Sequence, residues 1–459
     1  MKFKIFCLSF LFLTASCKAS QEEIRIYLNT SSPLEPIYIG KLSSDGSLNA
    51  DYLSQLESVL HFDFSHNGST KILPTQEIHE RTLSQKSNTE RFNATSWRSY
   101  GALHVLKGEI KNKALTLSVF SPQTGSLKQF PEITLSGTLG RDRFQLHRLS
   151  DAIYKTLYGQ PGVASTRILY AAKQRQSNNR SDNKSDKWVS EIWSCDWDGA
   201  NPKQLTREGS YSITPVLIPT SSKYANDKFL YVSYKMGQPK VFIASFNEGV
   251  GKRLIDLRGN QLLPAISPQR DKIAFISDAA GKVDGRTDLF LQEFHPERSE
   301  TGKPVQLFSY PRSTQASPTF SPDGSKIAFV SDKDGAPRIY IIPATFTSKR
   351  PTPALISKRN NENSCPAWSP DGKKLAYSAK TKGTRQIWIY DFDRKEEWQL
   401  TDGPGNKENP SWAPDSKHLV FNSTDGHLSE LYIVNLNQPD VVKISQGTGI
   451  KHYPAWGIR

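Results

Sequence analysis

From about residue 214 one short unit recurs, and it restricts the folds open to this chain. It reads proline, a small residue, an aromatic or aliphatic residue, Ser, Pro-Asp-Gly, then an apolar run. Copies begin at Pro264 (PAISP), Pro318 (PTFSPDG), Pro366 (PAWSPDG) and Pro410 (PSWAPDS), with a degenerate copy at Pro215 (PVLIP) and a last one at Pro454 (PAWG). The six markers are spaced by 49, 54, 48, 44 and 44 residues. Periods of this length belong to repeat architectures in which each unit buries its apolar face against the next.

Each marker is followed by further short runs rich in β-branched and aromatic residues, bounded by Gly, Pro, Asp and Asn. In the unit starting at Pro318 these are Ile327 to Ser331, Arg338 to Ile342 and Leu355 to Ser357; in the next, Leu375 to Ser378, Gln386 to Asp391 and Trp398 to Thr401. Such runs are antiparallel strands with tight turns. Four strands per repeat make one propeller blade. Second strands count to six: Ile168 to Ala171, Phe229 to Ser233, Ile273 to Ser277, Ile327 to Ser331, Leu375 to Ser378 and Leu419 to Asn422. The first lacks a marker in front, and the last marker lacks strands behind. The economical solution is that Tyr453 to Trp456 supplies the inner strand of the first blade and closes a six-bladed ring, which removes its open edges.

Residues 20 to 160 have a different texture. Ile24 to Leu28 and Ile37 to Leu42 read as strands, Tyr52, Leu53, Leu56, Val59 and Leu60 follow helical spacing, and Ala102 to Ile110 with Leu115 to Phe120 form a hairpin. Phe144, Leu146, Leu149, Ile153 and Leu157 fit a last helix stopped by Gly159 and Pro161. The expected fold class is an α/β N-terminal domain, residues 20 to 160, followed by an all-β six-bladed β-propeller, residues 161 to 459. Lys173 to Lys187 is polar and of low complexity, and is expected to be a mobile loop in the first blade.

The N-terminus reads as an export signal over residues 1 to 19, with Lys2 and Lys4 before the apolar run Ile5 to Leu13 and small residues after it. Cleavage after Ala19 leaves a soluble periplasmic chain; Thr14-Ala15-Ser16-Cys17 offers the alternative of a lipid anchor on Cys17. No later run is long and apolar enough to span a membrane. Removing the signal takes away three Lys, so the formal charge falls from +14 to +11. No block of five or more Lys and Arg exists, so nucleic acid is not an expected partner. Cys195 and Cys365 remain, in different repeats, and are expected to be idle thiols without a bridge.

Catalytic patterns are missing. There is no G-x-S-x-G elbow, no H-E-x-x-H, no zinc-spaced Cys/His set and no phosphate loop. The Pro-Asp-Gly elements need no ligand, since Pro presets φ, Asp accepts a local backbone bond and Gly takes positive φ. Phe320, Trp368, Trp412 and Trp456 occupy one point of their repeats, where an aromatic fills the wedge between blades. The chain is therefore expected to have no enzymatic activity, metal or cofactor. Rival readings are a propeller hydrolase with an unrecognised site and a lectin-like binding propeller.

Glu23-Ile24-Arg25-Ile26-Tyr27, Trp97-Arg98-Ser99-Tyr100-Gly101-Ala102 through Gly108, and Thr166-Arg167-Ile168-Leu169-Tyr170, ahead of these repeats, resemble the TolB family over essentially the whole mature chain. The second segment departs from the family's pattern at or beside His104, and the chain ends Gly457-Ile458-Arg459 where the family continues. The resemblance implies a monomeric, non-enzymatic scaffold of the Tol-Pal envelope machine, active in cell division and outer-membrane integrity. It implies two partners: a Pal-like lipoprotein on the propeller and a TolA-like inner-membrane protein at the N-terminal segment. The implied partner-binding residues are Glu23, Ile24, Arg25 and Ile26 in that segment, and Asn260, Leu263 and Ala316 by their distance from the marker prolines. With Asn363 and Asn409, the last three are expected to ring the channel mouth, Leu263 as an exposed apolar side chain, on the face opposite the Pro-Asp-Gly turns.

Overall fold

The computed structural model describes residues 32–176, 187–220, 227–280, 285–346 and 351–459. The expected export signal and the strand at Ile24 to Leu28 lie outside them.

The N-terminal part is built on a sheet ordered Thr70–Ile72, Glu35–Ile39, His104–Lys111, Ala114–Ser121, Ser126–Gln129, the first three parallel and the rest antiparallel. Period-two alternation decides what each face carries. Ile37, Ile39, Leu106, Leu115, Leu117 and Val119 meet two helices, Ala50–Ser65 through Tyr52, Leu56 and Leu60, and Leu139–Tyr158 through Leu146, Leu149 and Ile153. Tyr38, Val105 and Phe120 point the other way and pack with Leu83 and Trp97, which come from short helices that the periodicity did not reveal. The first helix is capped by Asn49, whose side chain accepts from Tyr52 N; the second ends at Gly159 in the left-handed conformation, φ 70°. Gly108 is required for packing, because a Cβ there would sit 2.2 Å from Leu42.

Six sheets follow, arranged as blades. Five have inner strands that begin the repeat: Ser212–Leu217, Gln261–Ile266, Gln315–Phe320, Asn363–Trp368 and Asn406–Trp412. In the first blade the inner strand is Ile450–Gly457, antiparallel to Arg167–Gln176. One hydrophobic cluster lies between each pair of neighbouring blades. Alternation again explains it: Ile168, Tyr170 and Ala172 meet the sixth blade, while Leu169 and Ala171 meet the second. Phe320, Trp412 and Trp456 are buried, and Trp368 stacks on Phe392 at 4.9 Å, so the periodic aromatics fill the wedges. The marker turn of blade 4 shows the local bonding: Asp323 accepts from Ser321 Oγ and Ser325 N, and Gly324 has φ 68°.

Two features were not anticipated. Every inner strand carries a bulge at its marker proline, and the residue before that proline is left-handed: Thr214, Leu263, Ser317, Cys365, Asn409 and Tyr453 all have φ between 48° and 54°. For non-glycine residues this conformation costs on the order of 1–2 kcal/mol each, and such strain persists only where packing over-determines it. The packing is visible. Each bulge lies opposite one buried aromatic of the second strand, namely Tyr231, Phe275, Phe329, Tyr377, Phe421 and Tyr170, one in each interblade cluster. The second feature corrects the expected loop at Lys173 to Lys187: strand structure continues to Gln176 and resumes at Lys187, leaving only 177–186 outside the described residues.

Candidate functional site

Antiparallel order divides the propeller into two faces. The residues before the marker prolines share one face with the turns between second and third strands; the Pro-Asp-Gly turns share the other with the turns between third and fourth strands.

The second of these faces, at blades 1 and 6, holds the N-terminal part. Asp63, buried at the end of the first helix, accepts from Trp197 Nε1 of blade 1 at 2.9 Å and lies 2.9 Å from His147 Nδ1 of the long helix. Arg143 reaches both Asp196 and Asp198, and Arg459 also bonds Asp196. His147, Asp196 and Asp198 are near enough together to hold a metal ion, but the two guanidinium groups already balance the two carboxylates, and the cluster serves as an ion-pair joint. At blade 6, His418 meets Asp415 Oδ2 at 2.6 Å through Nδ1 and the carbonyl of His66 at 2.8 Å through Nε2. His66 is the C-cap of the first helix, at the negative end of the helix dipole. Burial disfavours a charged imidazole at His418, but Asp415 and the hydrogen bonds outweigh it, and the pKa lies above its ordinary 6.5. Lys417 to Gln160 and Asn437 to the carbonyl of Gly68, both 2.8 Å, complete the contact.

The opposite face carries the expected partner residues. Asn260 is pinned at the rim by Asp278, its backbone N and its Nδ2 each donating at 2.7 Å. Leu263 corrects the expectation of an exposed apolar side chain. It is half-buried against the core between blades 3 and 4, because its left-handed backbone belongs to the bulge. Ala316, on the neighbouring inner strand, is likewise half-buried, against the core between blades 4 and 5. Asn363 is buried and donates to the carbonyls of Pro337 and Asn360, so it is not a surface group. Asn409 accepts from the Cys365 thiol at 3.1 Å and donates to Asn422 at 2.8 Å. Burial raises the pKa of Cys365, which keeps it a neutral thiol. Neither Cys365 nor Cys195 is in a disulfide.

Residues 154–458 match the family model described as the TolB beta propeller domain. The chain belongs to the TolB family. It is 46% identical over 408 residues to a protein TolB homolog of Protochlamydia amoebophila, covering 88% of this chain and 85% of that one. A TolB homolog of Chlamydia felis is 42% identical over 285 residues, covering 62% and 63%. The crystal structure of TolB from Acinetobacter baumannii superposes with a TM-score of 0.71 at 20% identity, over 94% of this chain and 98% of that one, a likeness of fold.

In this TolB-family chain Leu263 and Ala316 fall on adjacent inner strands, and Asn260 immediately precedes the first of them. Glu23, Ile24, Arg25 and Ile26 lie outside the described residues. The joint built from Asp63, His147, Trp197 and His418 was missed, since its members are scattered along the chain. The ring of second-strand aromatics had a local signal, an aromatic third in the runs ILY, FLY, IAF, IAF, LAY and LVF that begin at 168, 229, 273, 327, 375 and 419. Among the described residues no helix is long and apolar enough to cross a membrane.

Proposed function

We propose that this chain is an exported, periplasmic, non-catalytic scaffold of a Tol-Pal-like envelope complex. Its pre-proline propeller face receives a Pal-like lipoprotein around Asn260, Leu263 and Ala316, and its N-terminal segment, Glu23, Ile24, Arg25 and Ile26, adds as a strand to a TolA-like partner. The observation that carries the reading is family membership along most of the chain, including the region before the propeller. A second support is geometric. Among the described residues, the hydrogen bonds between the N-terminal part and the propeller come from the Pro-Asp-Gly face, so the other face is left for a partner.

Calorimetric titration with the soluble domain of a Pal-like lipoprotein tests it. Leu263→Glu and Ala316→Glu are expected to weaken binding by about 2 kcal/mol, roughly thirtyfold. Leu263→Ala, which buries no charge, separates lost contact from lost folding. Asp371→Lys, on the opposite face, is expected to bind as the parent does; weakening by that variant alone places the partner on the wrong rim and sinks the reading.

A further inference from the structure

Blade 1 departs from its neighbours. Its second and third strands, Arg167–Gln176 and Lys187–Asp196, are 10 residues each, against 6 in its neighbour blade 2 and 8 in its neighbour blade 6. The inner strand stops pairing at Ile450 opposite Lys173, whereas the second and third strands stay paired up to Gln176 and Lys187. A two-stranded ribbon therefore rises past the rim of the pre-proline face. It carries Arg175 and Trp188 as a cross-strand pair, with the guanidinium 5.2 Å from the indole. Lys173 Nζ lies 5.0 Å from the Trp188 ring and 5.6 Å from Tyr211, and Tyr211 meets Tyr234 edge-on at 6.5 Å.

This cationic and aromatic sector is presented to solvent. Trp188 is 36% exposed, Tyr211 37% and Met236, in the adjoining turn of blade 2, 55%; Arg175 and Lys187 are exposed as well. Among the described residues, the acids of the sector are turned inward. Glu191 bonds Thr206 Oγ1 and the amides of Glu208 and Gly209, and Glu208 bonds Tyr231, Ser233 and Lys235. The described residues that face outward thus hold positive charge over aromatic rings, with Trp, Tyr, Met and Arg, the residue types enriched where protein interfaces concentrate their energy.

Resting on the reading of the pre-proline face as the partner surface, we propose that the blade 1 ribbon is a second contact for the same lipoprotein, and that it takes an acidic segment carrying an apolar side chain. The carboxylates meet Lys173, Arg175 and Lys187, and the apolar group lies between Trp188, Tyr211 and Met236. Charge complementarity of this kind acts on association rate and on choice of partner.

The test is calorimetry and stopped-flow association with the soluble lipoprotein domain, using full mature chains of unchanged melting temperature. Trp188→Ala is expected to weaken binding roughly tenfold, with recovery in Trp188→Phe. Arg175→Glu with Lys187→Glu is expected to slow association and to flatten its salt dependence. Affinities within about twofold of the parent for all ribbon variants, alongside a weakened Ala316→Glu, overturn the ribbon contact and leave the partner reading standing. Absence of binding by the parent overturns both. Ribbon variants that lose adsorption to phosphatidylglycerol vesicles while keeping lipoprotein affinity assign the patch to anionic lipid and overturn the proposal.

Discussion

The two faces of the propeller are made from the same repeat and yet differ in kind. On the Pro-Asp-Gly face the turns of blades 4 and 5 close through Ser, Asp and a positive-φ Gly, and blades 1 and 6 add buried charges that hold the N-terminal part. On the other face the inner strands begin beside a strained bulge, and blade 1, with the longest second and third strands among the described residues, sends up a ribbon of cations and aromatics. Repetition builds a ring; breaks in repetition give it a top and a bottom. The Asp63 joint uses residues no other blade possesses, and the ribbon uses strand length no other blade shares.

The largest expected effect comes from removing the strand that joins the two faces. Deleting Tyr453 to Arg459 strips most of the inner strand from blade 1, removes the buried Trp456 and takes Arg459 away from Asp196. Loss of a buried Trp alone costs about 3–5 kcal/mol, so the melting temperature should fall by roughly 10 °C or more; an unchanged value means that the ring does not depend on its closing strand. Next, Asp63→Ala leaves the Trp197 N–H and His147 without their acceptor in a buried joint. Its cost should be about 3 kcal/mol, seen in urea unfolding and as early proteolysis between the N-terminal part and the propeller, with partner affinity on the far face unaltered.

A smaller effect is the pH dependence of the blade 6 contact. The folded pKa of His418 is raised above 6.5, so the stability contributed by its charged form is complete below that value and is lost as pH rises through the folded pKa. Urea midpoints should therefore decline as pH is raised above 6.5 more in the parent than in His418→Gln; parallel curves contradict an imidazolium clamp on the first helix. The smallest change is Gly324→Ala, at φ 68° in a marker turn of blade 4. It should cost about 1 kcal/mol for the backbone, push aside the Gln269 side chain in the neighbouring turn of blade 3, and leave both the joint and partner binding untouched.

Legibility along the chain followed the distance over which each feature is encoded. The second strands were readable because apolar alternation and Gly, Pro or Asp boundaries fall within a few residues, as in Ile273 to Ser277 and Ile327 to Ser331. The short helices around Leu83 and Trp97 were not, because segments of four to seven residues are too brief to display a helical period. Leu263 misled for a related reason. Its place before a marker proline put it on the rim, but nothing local announces the left-handed backbone that turns it against the core between blades 3 and 4.

The number of blades, the C-terminal marker as the missing inner strand of the first blade and the aromatic wedges were all determined by the sequence alone, because they follow from counting one repeat. The tertiary structure decided which face the described N-terminal part covers. Asp63 finds His147 and Trp197 across separations of 84 and 134 residues, and His418 finds His66 across 352. Such pairs exist only once the ring has closed and brought its first and last blades together against one helix end, and no pattern within a single repeat can specify them.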